Sequence, residues 1–314
     1  MASPDITSFP FVDVPGIANF RDIGGNPTST GTSTTKGLVF RCADPSRVGT
    51  EGLEKMSEDL GKVNHHRPRR VVNIRLIEFQ LYRLRARTQT NISPQGIKVI
   101  FDLRSLPEIN RNGPEYAGLS DDPGSTLDAV FAKHSITRRW VPVFATEDYG
   151  PEQIALRYKS YTRAGTSGFV QAYRDILANA GPAFGEILRH LSQLDTEPSA
   201  CVFHCTAGKD RTGLLAALLL SLAGVSDTVI ADEYSLTDVG LAPLREQFVE
   251  RLLKNPVLEG DEVGVRNMVS SKRENMLASL EMIDNEFEGR EGYMRKWCGL
   301  GDDEIEVLKR RLRA

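Results

Sequence analysis

Apolar positions along the chain switch between two rhythms, and the switch points outline an α/β molecule. Ile97-Lys98-Val99-Ile100-Phe101-Asp102-Leu103-Arg104 is almost unbroken apolar sequence up to its end, the pattern of a strand covered on both faces. It delivers Asp102 and Arg104 at its C-terminal end, where open α/β sheets hold their ligands. Ala200-Cys201-Val202-Phe203 predicts a second buried strand. Leu38-Val39-Phe40-Arg41 predicts a third, returning from a Ser/Thr-rich hairpin loop at residues 28–35. Helical spacing marks residues 152–161, 169–180, 183–194, 229–236, 276–287 and 304–312. Leu241, Leu244, Phe248, Leu252 and Leu253 repeat at the same spacing over residues 241–253. Thr50 suits the N-cap of a helix running to residue 60. Pro4, Pro10 and Pro15 make residues 1–16 an extended arm, and residues 124–150 read as loop. No repeat and no linker divides the chain. A single domain over residues 1–314 is expected, with a central, largely parallel sheet flanked by helices and a helical C-terminal region.

Composition narrows the function classes. With 314 residues, 40% hydrophobic and 26% charged, the chain reads as soluble and globular. A net charge of −3 gives no general attraction to nucleic acid or to anionic membrane, so any positive site is local. The apolar run at residues 214–225 is too short to span a bilayer and is interrupted by Ser221 and Gly224, so no stable membrane insertion is expected. The first ten residues have neither the basic flank nor the apolar core of a secretory signal. Cys42, Cys201, Cys205 and Cys298 show no metal-binding spacing and no disulfide framework, so no metal and no cofactor are expected. Such cysteine usage fits a reducing compartment, and a cytoplasmic location is the default.

The chemistry concentrates in His204-Cys205-Thr206-Ala207-Gly208-Lys209-Asp210-Arg211-Thr212-Gly213. This polar loop stands between a predicted strand and the buried helix that starts at Leu214. Strand, glycine loop and helix N-terminus turn backbone amides toward an anion. Cys205 lies where those amides and the helix dipole favour negative charge, the setting for a thiolate nucleophile. Arg211 can grip two phosphoryl oxygens and stabilise charge in the transition state. Gly208 lets the backbone curl with its amides inward. Thr212 can hydrogen-bond the departing sulfur, and His204 orders the loop or is a satisfied core histidine. Thr206 to Thr212 thus form a phosphate cradle, and the expected reaction is in-line displacement at phosphorus through a phosphocysteine. The leaving oxygen needs an acid, for which Asp210 is the first candidate and Asp102 the alternative. Cys42 or Cys201 could pair with Cys205 on oxidation, although packing is the simpler role for both.

The loop resembles that of the cysteine-dependent tyrosine phosphatase superfamily, and more narrowly its bacterial and fungal branch of atypical tyrosine/serine phosphatases. His204 to Gly213 match the branch's His-Cys-x-Ala-Gly-Lys-Asp-Arg-Thr-Gly. Asn19-Phe20-Arg21-Asp22-Ile23-Gly24-Gly25 match its N-terminal element, and Asp102-Leu103-Arg104-Ser105 match a strand ending. Arg41 fits the arginine after the second strand, with Cys42 where serine is usual, and Gly292-Tyr293 fit a C-terminal element. The resemblance implies a tyrosine-phosphatase-like fold, Cys205 as nucleophile, Arg211 as phosphate binder and Asp210 as acid. Lys209 becomes an extra cation able to meet a second phosphate. Arg21, Asp22 and Arg104 are expected to hold the loop from behind. A helical lid is implied after the loop, and residues 241–270 are its candidate.

The implied substrate is a phosphorylated protein, chiefly on tyrosine and also on serine or threonine, with a phosphoinositide or inositol phosphate as the alternative. A catalytically dead phosphate-binding module and a rhodanese-like sulfurtransferase are the contrasting readings. One stretch falls outside the resemblance. Residues 62–95 carry Arg67, Arg69, Arg70, Arg75, Arg83, Arg85 and Arg87 against the single acid Glu78. They read as a basic surface insertion, as a docking patch for an anionic partner, or as a retained intron. The last reading rests on splice-like codons available to Lys62-Val63-Asn64, Thr90-Asn91 and Gln95. Removing residues 63–95 would leave a short loop between helix and strand.

Overall fold

The computed structural model describes residues 9–60, 96–110, 126–144, 159–193 and 200–314, so the basic segment at 62–95 lies outside the described residues. Five strands form the sheet: β1 (Arg21–Asp22), β2 (Val39–Cys42), β3 (Ile97–Asp102), β4 (Thr137–Trp140) and β5 (Ala200–His204). Their order is β1-β2-β5-β3-β4. Only β1 runs antiparallel to its neighbour; β2, β5, β3 and β4 are parallel. Three of the parallel strands therefore end side by side at Cys42, Asp102 and His204, and the loop motif leaves the middle one.

Twelve helices cover this sheet among the described residues. They are α1 (Thr50–Glu54), α2 (Leu106–Asn110), α3 (Thr126–Lys133), α4 (Ser167–Ser192), α5 (Asp210–Ala223), α6 (Asp227–Ser235), α7 (Thr237–Gly240), α8 (Arg245–Leu253), α9 (Glu262–Met268), α10 (Arg273–Glu286), α11 (Gly289–Lys296) and α12 (Asp302–Leu312). The period of two along β5 sorts the core into two sides. Cys201, Phe203 and Cys205 join the larger cluster with α4, α5 and the C-terminal helices. Ala200 and Val202 join a smaller one with Phe20, Phe40, Leu53, Ile100 and Phe131. The same alternation sends Cys205 to one face of the sheet and His204 to the other. No helix among the described residues is long and apolar enough to cross a membrane.

Several local expectations need correction. Residues 124–150 are not all loop: α3 and the edge strand β4 lie there. Thr-Arg-Arg-Trp has no apolar alternation because β4 sits at the edge with mostly exposed side chains, so nothing in its pattern announces a strand. The two helices expected at 169–180 and 183–194 are one helix, α4, which continues through Pro182. Local propensity gives way there because Ile176, Leu177, Ala180, Phe184, Ile187 and Leu188 form one buried face on both sides of the proline. Gly181 and Gly185 admit another segment against that helix: a Cβ would stand 2.3 Å from Trp297 O at the first and 2.4 Å from Cys298 O at the second. Thr50 opens α1 rather than capping it, and the helix widens into a π-turn over Lys55–Asp59. The stretch at 241–253 is a 3-10 turn, Ala242–Leu244, followed by α8, because Pro243 interrupts it. The helices α9 and α11 had no clear periodic signal.

Candidate active site

The loop from Cys205 to Lys209 joins β5 to α5, and its carbonyls are tied from outside. The Asp44 amide donates to Thr206 O at 3.1 Å. Asn19 Nδ2 donates to Ala207 O and Gly208 O, each at 3.2 Å. Arg41 Nη2 donates to Gly208 O at 2.8 Å and Lys209 O at 3.4 Å. A trans peptide points its N–H opposite to its C=O, so holding these carbonyls outward turns the following amides inward. Gly208 adopts φ +63°, and a Cβ on it would lie 2.1 Å from Cys42 O, so no other residue fits there.

The inner side of the loop opens on a cavity of about 430 Å³. Cys205, Thr206, Ala207, Lys209, Asp210 and Arg211 all line it, together with Glu108. The loop residues that the sequence singled out thus line one cavity, and Glu108, which it did not single out, lies beside them. Glu108 Oε1 accepts from Arg211 Nη2 at 2.6 Å and from Thr206 Oγ1 at 2.7 Å. Its Oε2 accepts from Arg211 Nη1 at 2.7 Å and from the Ser105 amide and hydroxyl at 3.0 Å. Burial alone would raise this carboxyl, but the Arg211 guanidinium and these donors hold it well below the usual carboxylate range. The signal was present: Ser105-Leu106-Pro107-Glu108 has the Ser-x-x-Glu spacing of a capping box at the start of α2.

Behind the loop lies a buried ion network. Glu233 on α6 bridges Arg21 Nε at 2.7 Å and Arg41 Nη1 at 2.6 Å, and all three side chains are at most 4% exposed. Burial would raise the Glu233 carboxyl, and the two arginines hold it down. Arg21 also donates to the Asn19 side chain, which in turn holds the loop carbonyls. Arg21 thus reaches the loop through two neighbours and does not touch the cavity. Glu233, the buried one of three acids on α6 with Asp227 and Asp232, was the missed partner. Asp22 departs from expectation: its carboxylate accepts from the Gly24 and Gly37 amides and fixes the β1–β2 hairpin, not the loop.

Asp102 also departs from its alternative role as acid. It is fully buried, does not line the cavity, and accepts from Arg104 Nε at 2.9 Å, Arg104 Nη2 at 2.8 Å and Arg138 Nη1 at 3.0 Å. Burial would raise it, yet His204, Arg104 and Arg138 hold it well below the usual range, so it carries no proton to give. Arg104 braces the site by joining Asp102 to Asp44, whose amide holds Thr206 O. His204 is buried on the far side of the sheet, with Nδ1 3.1 Å from Cys205 O and burial pulling its imidazole below its usual value. The Thr212 hydroxyl is buried without a hydrogen-bond partner among the described residues, so the expected bond to sulfur is not formed here.

Lys209 does not project freely into the cavity. Its Nζ donates to Met268 O and to Ser270 O at 3.3 Å, and sits over the rings of Phe169 and Tyr161. Residues 241–270 roof the cavity through Leu241, Phe248, Arg251, Leu252, Met268 and Val269. Cys42, Cys201, Cys205 and Cys298 are all free and buried. Burial pushes the Cys201 and Cys298 thiols up to about 12 and Cys42 well above its usual value. Among the described residues no group of His, Cys, Asp or Glu is gathered to hold a metal ion.

Comparison with known proteins agrees with this geometry. A tyrosine phosphatase family model matches the chain in two pieces, residues 12–65 and 59–314. The chain is 24% identical over 303 residues to the triple specificity protein phosphatase PtpB of Mycobacterium tuberculosis, covering 90% of this chain and 92% of that one. It is 31% identical over 147 residues to a tyrosine-protein phosphatase of Nostoc commune. That second match spans 45% of this chain and 48% of the relative, about half of its length. With a family match running from residue 12 to residue 314, the chain belongs to the tyrosine phosphatase family.

Proposed function

We propose that the protein hydrolyses phosphotyrosine on protein substrates through a phosphocysteine, and phosphoserine and phosphothreonine as well. One observation carries this reading: Cys205, Asp210 and Arg211 face a single cavity whose other walls are mainly apolar, including Phe144, Tyr161, Ile176 and Phe248. An aryl ring finds its contacts on those walls while its phosphate meets the loop amides. Arg211, its guanidinium plane oriented by Glu108, meets the phosphate. The Cys205 thiolate attacks phosphorus in line, the P–O bond breaks, and Asp210 gives its proton to the leaving oxygen. Water then attacks the phosphocysteine, Asp210 takes the proton back, and phosphate and thiolate are released. An acid in this position also serves an alkyl leaving group, which supports the serine and threonine activity, as does the similarity to the triple specificity phosphatase of Mycobacterium tuberculosis.

The phosphoinositide alternative is weaker in this geometry, because Lys209 is engaged with backbone carbonyls and aromatic rings rather than presented to a second phosphate. Residues 241–270 act as a lid that shelters the site from water and oxidants. A thiolate catalyst needs a reducing setting, which supports a cytoplasmic location. The two pieces of the family match overlap at residues 59–65 and the second spans the basic segment, so the reading of 62–95 as an insertion rests on the sequence alone. Reads of the mature transcript that skip residues 63–95 would identify it as an intron.

The test is a panel of phosphotyrosine peptide, phosphoserine peptide and phosphoinositide, run on wild type, Cys205→Ser and Asp210→Asn. Cys205→Ser should lose at least ~10³-fold in kcat, and acid-quenched wild type should carry phosphate on Cys205. Undiminished turnover by Cys205→Ser would refute the mechanism, and a higher kcat/KM on phosphoinositide would reverse the substrate order.

A further inference from the structure

The cavity accounts for the front of Asp210, while its back is held by two tyrosines that lie outside the loop motif. Tyr173 on α4 donates its hydroxyl to Asp210 Oδ1 at 2.9 Å. The Tyr234 hydroxyl on α6 lies 2.6 Å from the Tyr173 hydroxyl. Tyr173 spends its single proton on the carboxylate, so the proton between the two phenols comes from Tyr234. Both side chains are fully buried, their rings nearly perpendicular with centroids 6.4 Å apart. Burial, and then the Asp210 charge, push both phenols well above the usual tyrosine range, so both remain donors. Gly213 makes the room: a Cβ there would stand 3.0 Å from the Tyr234 ring. The last glycine of the motif is therefore spent on Tyr234.

The remaining groups facing Asp210 are few. Lys209 Nζ stands 3.4 Å from the same Oδ1. Tyr161 lies close enough to feel the Asp210 charge, and Cys205 and Arg211 share the cavity. Around Tyr234, Asp238 on α7 and Arg41 on β2 act with opposite sign. Both contacts to the carboxylate fall on Oδ1, which leaves Oδ2 for the leaving oxygen.

We propose that Tyr173, oriented by Tyr234, is a positioning residue for proton transfer: it fixes the Asp210 carboxyl so that Oδ2 delivers its proton as the P–O bond breaks. The inference rests on Asp210 being the acid. With Tyr173 and Lys209 both on Oδ1, Tyr173 sets the direction in which the proton leaves.

The experiment measures kcat against pH for wild type, Asp210→Asn, Tyr173→Phe and Tyr234→Phe, on a phosphoserine peptide and on p-nitrophenyl phosphate, whose leaving group needs little protonation. Asp210→Asn should lose the alkaline limb and fall ~10²-fold or more on the phosphoserine peptide. Tyr173→Phe should fall ~10-fold on the phosphoserine peptide and less than ~3-fold on p-nitrophenyl phosphate. Tyr234→Phe should show the same leaving-group dependence to a smaller extent, and it carries the test if Tyr173→Phe does not fold. Equal losses on both substrates, or wild-type behaviour, would overturn the proposal. If Asp210→Asn keeps the limb, the assignment of the acid itself fails, a result distinct from failure of the tyrosine pair.

Discussion

Glu108 grips Arg211 end-on, with Oε1 2.6 Å from Nη2 and Oε2 2.7 Å from Nη1. The pair presets the guanidinium plane before substrate arrives, and Thr206 Oγ1 is drawn to the same carboxylate. Glu108→Ala should cost ~3 kcal/mol of stability, because it leaves a buried guanidinium without its counter-charge. It should also lower kcat/KM ~10²-fold, through loss of Arg211 orientation. Glu108→Gln keeps one acceptor and should fall between the two. Urea titration and steady-state kinetics check both numbers. A Glu108→Ala enzyme with wild-type kcat/KM would show that the phosphate alone orders Arg211.

Glu233 joins two buried arginines, and its loss should be felt at the loop some distance away. Arg41 reaches Glu233 with Nη1 and the loop carbonyls of Gly208 and Lys209 with Nη2. Glu233→Ala strands both cations, and a destabilisation of ~3–5 kcal/mol is expected. Glu233→Gln should lose less. In either variant kcat should fall by more than KM rises, since the loop shape acts in the transition state. Denaturant midpoints and initial rates measure the two effects independently.

These two carboxylates show where the sequence was readable. A short-range pattern gave the strands β2, β3 and β5, the loop between β5 and α5, and every side chain that the loop itself contributes. Glu108 and Glu233 reach the loop from α2 and α6, 98 residues away at Thr206 and 192 residues away at Arg41, and no local period encodes such pairings. Asp102 was misread for the complementary reason. Its position at a strand end marked it as a ligand-facing carboxylate, but it is fully buried and held ionised by His204, by Arg104 and by Arg138, the last from an edge strand with no apolar alternation. Lys209 was legible as a cation in the loop. That its charge would be directed to carbonyls at the end of α9 depends on where that helix packs.

Lys209 should hold the proposed lid, residues 241–270, against the cavity. Its Nζ contacts Met268 O and Ser270 O, where the last carbonyls of α9 lack helical partners and attract a cation. Lys209→Met keeps the stem that lies on Phe169 and Tyr161 but removes the charge. Limited proteolysis within residues 241–270 and alkylation of Cys205 by iodoacetamide should each speed up ~10-fold, as expected for a segment that opens more often. Unchanged rates in both assays would mean that the apolar contacts of Leu241, Phe248 and Leu252 hold the lid unaided.

His190 should give the protein a specific weakness to mild acid. Its half-buried ring lies edge-on to Phe101, and burial together with the nearby Arg139 guanidinium lowers its pKa to about 4. The unfolded chain protonates near the ordinary value of ~6.5, so the folded state binds this proton later. Above that value both states are neutral and the contribution is constant. As pH falls toward 4 the unfolded state gains protons first, and stability is lost until the folded histidine also titrates. Allowing for its partial exposure, the loss is ~1–2 kcal/mol. His190→Leu removes the titrating group and keeps an apolar contact with Phe101. Its Tm should therefore fall less than wild type between pH 7 and pH 4.5, while the two proteins differ little in slope above pH 7. Parallel Tm curves across the acid range would assign the acid sensitivity to other groups.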